Sequence, residues 1–313
     1  MQVGFIGLGM MGASMAANLQ KAGHKLIVND VRREAADNHI ANGAKWAASP
    51  AELAKQCDVI FLSLPGPPEV EAVALGENGL LGGLKRGAAV FDLSTNSPTL
   101  VRKIHGVYAE KGVHMLDAPV SGGPHGARSG RMAIWVGGDK ATFETYKPLL
   151  DAMGDQARYI GEIGAGAVAK LVHNCAGYCI QTALSEVFTM GVKAGVEPLA
   201  LWEAVRGGAQ GRRRTFDGLV DQFLVNKYEP AAFALKLAHK DMTLATQLGR
   251  EIGVPMRVAN TAMAELTEAL NRGWDKQDSR SPMKLQIERA GVKIEVDKQK
   301  IAEVLDRDPP FKG

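Results

Sequence analysis

The chain has 313 residues, 46% of them hydrophobic and 23% charged, with a formal net charge of +3. That length exceeds what a single growing core fills, so two domains are expected, and the composition is too apolar for a disordered chain. So small a charge gives no broad electrostatic footprint for nucleic acid or a membrane surface, and no apolar run reaches the roughly 18 residues a spanning helix needs.

In the first half, apolar strand-like runs alternate with helix-like segments. Strands are predicted over 2–6, 25–29, 59–64, 88–93 and 114–116, and such alternation builds a parallel sheet. Helix starts are marked by Ser49-Pro50-Ala51-Glu52, with a capping serine, a proline at the first helical position and a glutamate at the third, and again by Ser97-Pro98. Strands over 132–136 and 157–160 around a helix over 140–150 complete this half, and the break falls near Gly161. A proline-free stretch over 167–196 reads as one long helix, followed by helices over 198–205, 231–252, 259–271 and 283–289. The tail over 292–313 is charged and carries no assignment.

The fold class expected is therefore α/β. A doubly wound sheet of the Rossmann kind over 1–163 is followed by an all-α domain over 164–313, joined by the long interdomain helix. Cys57, Cys175 and Cys179 form an odd set without a CxxC pair, so free thiols, no metal site and a cytoplasmic setting are expected, with Cys175 and Cys179 as helix core. The start of the chain has no basic segment and cleavage site of the secretory type.

Gly7-Leu8-Gly9-Met10-Met11-Gly12 fits GxGxxG directly after a predicted strand and at the opening of a helix. In that context the glycines permit a tight turn, the approach of a pyrophosphate to backbone amides and close packing of helix on strand. Asp30 follows at the end of the next strand, spaced to meet an adenosine ribose, which favours NAD. Arg32 and Arg33 follow it after Val31 and offer an alternative partner for the 2′-phosphate of NADP. Loops at Leu64-Pro65 and around Thr95 leave further strand ends, where open α/β sheets bind ligands.

Asp117-Ala118-Pro119-Val120-Ser121-Gly122-Gly123-Pro124 places a hydroxyl and exposed amides at another strand end, suited to gripping a small carboxylate. Lys170 and Asn174 stand four apart on the long helix and so share a face. His173 is read as pointing away from that face, into packing. His125, Arg128 and Arg131 follow the glycine pair without an assigned role.

With these blocks the sequence resembles the β-hydroxyacid dehydrogenase family, most closely its 3-hydroxyisobutyrate dehydrogenase branch. The resemblance runs over about residues 3–290. It rests on FIGLGMMG at residues 5–12, DLSTNSP at 92–98, DAPVSGG at 117–123, GAGAVAKLVHN at 164–174 and HKDMTLA at 239–245. It implies a hydride transfer between NAD or NADP and a small β-hydroxyacid or its semialdehyde, with Lys170 catalytic. Ser121, Gly122, Gly123 and Asn174 would bind substrate. Gly7, Leu8, Gly9, Met10, Met11, Gly12, Asp30, Leu64, Pro65, Thr95 and Lys240 would bind cofactor, with Asp241 as partner of Lys240. It also implies a homodimer or homotetramer.

Arg212-Arg213-Arg214 departs from what a plain monocarboxylate requires, so a dicarboxylate, sulfonate or phosphonate substrate is kept as an alternative. An imine reductase on the same scaffold is the other alternative. Lys170 and Asn174 count against it, because the resemblance implies that the lysine is commonly replaced in those enzymes.

Overall fold

The computed structural model describes all residues except 197, 212–218, 233, 237, 240–241, 244–245, 247–249, 251–252, 292–293 and 308–313. Two compact units divide the chain, Met1–Ala176 and Gly177–Gly313.

In the first unit the strands are β1 (Val3–Ile6), β2 (Leu26–Asn29), β3 (Lys45–Trp46), β4 (Val59–Leu62), β5 (Ala89–Asp92), β6 (His114–Asp117), β7 (Val120–Ser121), β8 (Ala133–Gly137) and β9 (Gln156–Gly161). Among the described residues these form one sheet in the order β3-β2-β1-β4-β5-β6-β8-β7, with β9 paired to β8. Strands β1 to β6 run parallel, and β8 pairs antiparallel to β6 and β7. The helices between them are α1 (Gly12–Lys21), α2 (Asp37–Ala41), α3 (Pro50–Ala54), α4 (Pro67–Leu75), α5 (Pro98–Glu110), α6 (Gly123–Ser129) and α7 (Lys140–Met153).

The parallel strands are apolar at nearly every position because both sheet faces are covered. On one face Phe5, Phe61 and Phe91 lie in register on β1, β4 and β5, with ring centroids 6.3 and 5.4 Å apart, against Met15, Leu19, Leu150 and Met153 of α1 and α7. On the other, Ile60, Leu62 and Val90 pack against Leu53, Val70, Val101 and Ile104 of α3, α4 and α5. Fully burying such side chains is worth about 1.5–3 kcal/mol each, which holds the strand ends in fixed relative positions.

Ser49 caps α3 as expected, its Oγ accepting from Glu52 N at 3.2 Å while Glu52 Oε2 accepts from Ala48 N at 3.0 Å. Ser97 does not cap α5 with its side chain. Its own amide donates to Asn96 Oδ1 at 2.7 Å, so the loop before the helix is organised by Asn96. The two-residue strands β3 and β7 lie outside the sequence expectations.

Helix α8 (Ala165–Lys193) starts slightly earlier than expected, and the division between the units falls within it. The second unit contains α9 (Pro198–Gly207), α10 (Arg257–Asn271), α11 (Met283–Ala290) and α12 (Lys298–Arg307), the last lying in the unassigned tail. The helix expected over 231–252 does not begin at 231, because Ala234 forms an antiparallel bridge with Asp278. Leu235, Ala269 and Leu285 make a small core with Trp274 packed on it. Arg272 and Arg289 tie α10 to α11 through Glu265, Glu268 and Glu288. Among the described residues, no helix is long and apolar enough to cross a membrane.

Candidate active site

The site is set out by one row of the sheet. Ile6, Leu62, Asp92 and Asp117 are register partners on β1, β4, β5 and β6. These strands are parallel, so the loops that follow them all leave from the same edge. The strand order reverses between β1 and β4, and ligands of open α/β sheets bind in the crevice at such a point.

The glycine turn leaves β1 there. Gly7 has φ of +91°, and a Cβ at Gly12 would lie 1.9 Å from Gly7 O, so neither position accepts a side chain without rearrangement. Gly9 has open space where its Cβ would point, and no side chain caps the start of α1. An uncapped helix N-terminus with open space before it fits the pyrophosphate of a dinucleotide. Met10 is exposed, Met11 half-buried and Leu8 buried. The Leu8 amide donates to Asp30 Oδ2 at 2.7 Å, and Arg32 N donates to Asp30 Oδ1 at 2.8 Å, so the carboxylate is fixed to the turn it was expected to assist. Arg33 pairs with Asp37 at 2.9 Å and lies over the Trp46 ring, whereas Arg32 stands 4.0 Å from Asp30.

Two buried aspartates at strand ends, for which the sequence carries no local signal, organise the neighbouring loops. Asp92 Oδ1 accepts from Ser94 N at 3.0 Å and its Oδ2 from Asn96 Nδ2 at 2.8 Å, and Ser94 Oγ accepts from Leu64 N at 2.9 Å. Ser94 and Asn96 are buried, which leaves Thr95 exposed between them, beside half-buried Leu64 and exposed Pro65. Asp117 Oδ1 accepts from Gly164 N at 2.7 Å and its Oδ2 from Ala167 N at 2.6 Å, so one carboxylate caps the first turn of α8. Burial raises the pKa of both carboxyls above the ordinary carboxylate value, and the hydrogen bonds offset this only in part.

Helix α8 is thereby anchored against the segment that follows β6. Lys170 Nζ donates to Val120 O at 2.7 Å, and burial lowers its pKa below the ordinary lysine value of 10.5. Ser121 is half-buried, and Gly122 and Gly123 are exposed next to it. His173 is not directed away from the Lys170 face. Its Nε2 lies 3.2 Å from Ser121 Oγ and its ring 5.2 Å from that of Trp135. Residues three apart are neighbours on a helix, and that spacing was the signal available for finding His173. Asn174, one turn beyond Lys170, is half-buried.

The structure thus brings Lys170 to the carbonyl next to Ser121, and gathers the glycine turn, Leu64, Pro65 and Thr95 on the same edge of the sheet. His125, Arg128 and Arg131 are exposed. Lys240, Asp241 and Arg212 to Arg214 lie outside the described residues, as do the side chains of Cys175 and Cys179. Among the described residues, no group of three or more histidine, cysteine or acidic side chains is placed to hold a metal.

Residues 2–161 match the family described as the NAD binding domain of 6-phosphogluconate dehydrogenase. Residues 164–286 match the NAD-binding family of NADP-dependent 3-hydroxyisobutyrate dehydrogenase. The chain is 34% identical to 2-(hydroxymethyl)glutarate dehydrogenase of Eubacterium barkeri, over 94% of its own length and 97% of that protein. It also resembles the structure of Mycobacterium tuberculosis 3-hydroxyisobutyrate dehydrogenase with L-serine, at 27% identity and a TM-score of 0.64, covering 91% of this chain and 98% of that one. A reductive aminase from Aspergillus terreus, at 20% identity, a TM-score of 0.71 and coverage of 91% and 98%, shares the fold alone. Two consecutive family matches and relatives aligned over nearly the whole length agree with the site geometry, and the chain belongs to the β-hydroxyacid dehydrogenases of the 3-hydroxyisobutyrate dehydrogenase type, NAD(P)-dependent oxidoreductases acting on a CH–OH group.

Proposed function

We propose that this enzyme interconverts a small β-hydroxyacid of the 3-hydroxyisobutyrate kind and the matching semialdehyde, with Lys170 as the proton-transfer group. The observation that carries the reading is the Lys170 amine, half-buried, with its pKa lowered by that burial and hydrogen-bonded to the carbonyl beside Ser121. Bound nicotinamide supplies the hydride acceptor or donor. In oxidation the alcohol loses a hydride from carbon and a proton from oxygen, and neutral Lys170 takes that proton at Nζ. In reduction the ammonium returns it. The Ser121 hydroxyl and the amides of Gly122 and Gly123 hold the substrate carboxylate, and Asn174 orients the reacting oxygen. Thr95, Leu64, Pro65 and the residues from Gly7 to Gly12 line the cofactor crevice, and the family resemblance assigns Lys240 to the cofactor as well. In this reading the working domains are 1–163 and 164–313.

NAD is the preferred cofactor in this reading. The Asp30 carboxylate is held at the turn by two amides, where it accepts from a free ribose hydroxyl and repels a 2′-phosphate, and Arg33 is already engaged by Asp37. The enzyme works in the cytoplasm, where a buried thiol such as Cys57, its pKa pushed up to about 12, stays reduced. It works as a homodimer or homotetramer. Val168, Leu171 and Val172 expose one apolar face of α8 at helical spacing, and a second copy of the chain is the occupant that the family resemblance favours.

A second reading has the substrate carry another acidic group. It is favoured by the name of the glutarate-acting relative and by Arg212 to Arg214. Turnover of 3-hydroxyisobutyrate, 3-hydroxypropionate, serine, glycerate, 2-(hydroxymethyl)glutarate and a sulfonate analogue, each with NAD and NADP, separates the two. The expected result is a kcat/KM with NAD at least about tenfold above that with NADP, and highest on a monocarboxylate. Preference for the glutarate or sulfonate establishes the second reading, and failure on every hydroxyacid defeats both.

A further inference from the structure

We propose that His173 is a positioning residue for substrate, fixing the Ser121 hydroxyl as a donor to the substrate carboxylate. The inference rests on the reading of Ser121 given above. A serine hydroxyl carries one proton and two acceptor lone pairs, and an ionised carboxylate only accepts. For Ser121 to donate to a carboxylate, any other partner of Oγ must itself be a donor. A carbonyl at that position would take the proton, whereas an imidazole with its proton on Nε2 supplies one.

The His173 ring is held for that role by an aromatic neighbour, and the helix that carries it is fixed to the same strand. Trp135 lies against it with centroids 5.2 Å apart and planes inclined by 55°. One turn earlier on α8, Lys170 Nζ grips Val120 O, so the helix holds consecutive residues of β7 through two side chains. The chain Nε2–H to Oγ–H to carboxylate oxygen runs in one direction, and each hydrogen bond polarises the next. Lys170 then serves the reacting oxygen while His173 acts at the opposite end of the same small substrate.

The test uses His173→Phe, which keeps a ring against Trp135 but removes both nitrogens, and His173→Gln, which returns an N–H near the same place. Each is made in the full-length enzyme, alone and together with Ser121→Ala. The readouts are kcat and KM for the best hydroxyacid, NADH affinity by fluorescence, and affinity of the enzyme–NADH complex for 3-hydroxyisobutyrate by calorimetry. His173→Phe should raise KM and weaken hydroxyacid binding by about tenfold, with kcat and NADH affinity nearly unchanged. His173→Gln should recover most of the loss, and His173→Phe should add nothing once Ser121 is alanine.

An unchanged KM in His173→Phe, no recovery with glutamine, or an effect that persists in the Ser121→Ala background would overturn the inference while leaving the proposed reaction standing. Wild-type enzyme that neither binds nor oxidises a hydroxyacid would overturn both.

Discussion

Lys170→Ala is expected to lower kcat by about 10²- to 10⁴-fold, the usual contribution of a positioned proton-transfer group, with NADH affinity unchanged. The separation follows from location. Lys170 lies on α8 and reaches Val120 O, whereas the glycine turn and Asp30 belong to β1, α1 and the end of β2. Lys170→Arg is expected to fail almost as badly. A guanidinium stays protonated throughout the working range and cannot take a proton from an alcohol. Steady-state kinetics together with fluorescence titration of NADH check this, and a variant that keeps wild-type kcat removes Lys170 from the chemistry.

The second large effect is structural, with a catalytic consequence. Asp117→Ala strands the buried amides of Gly164 and Ala167, each now bound to one carboxylate oxygen. At roughly 1–3 kcal/mol for each unsatisfied buried group, the loss is about 2–6 kcal/mol and is concentrated at the first turn of α8. Asp117→Asn keeps one acceptor oxygen and should lose about half as much. Because Lys170 sits less than one turn beyond Ala167 on the same helix, kcat should fall along with stability. Hydrogen exchange localises the effect. Gly164 and Ala167 amides should lose protection in Asp117→Ala while the central strands β1 and β4 keep theirs, and uniform loss of protection across the unit would show instead that the whole fold depends on this carboxylate.

The contrast between the aspartates and the glycine turn shows what the sequence makes legible. Gly7 to Gly12 could be read because strand, turn and helix are contiguous, and the doubly covered sheet could be read because both of its faces demand apolar residues in the strands between them. Asp117 carries no local signal of its role, since its partners lie 47 and 50 residues along the chain. Asp92 is nearer its partners, but its work depends on burial, which composition does not reveal. The pairs β3 and β7 are too short for any periodicity. His173 is a different case. Three residues turn a helix by 300°, which returns the side chain to within about 60° of Lys170, so the information was present in the spacing. The helix expected over 231–252 does not begin at 231, and nothing in the alternation of residues announces the bridge from Ala234 to Asp278.

The most direct measurement of the central claim is the pH dependence of kcat in both directions for the wild-type enzyme. Burial lowers the Lys170 pKa below 10.5, so the neutral amine is populated at lower pH than in an exposed lysine. Oxidation requires that neutral amine and should rise with pH through its pKa. Reduction requires the ammonium and should fall through the same region. Mirrored profiles, each with an apparent pKa below the ordinary lysine value and both abolished in Lys170→Arg, are the predicted result. Profiles that are flat, or that stay mirrored in the variant, would contradict it.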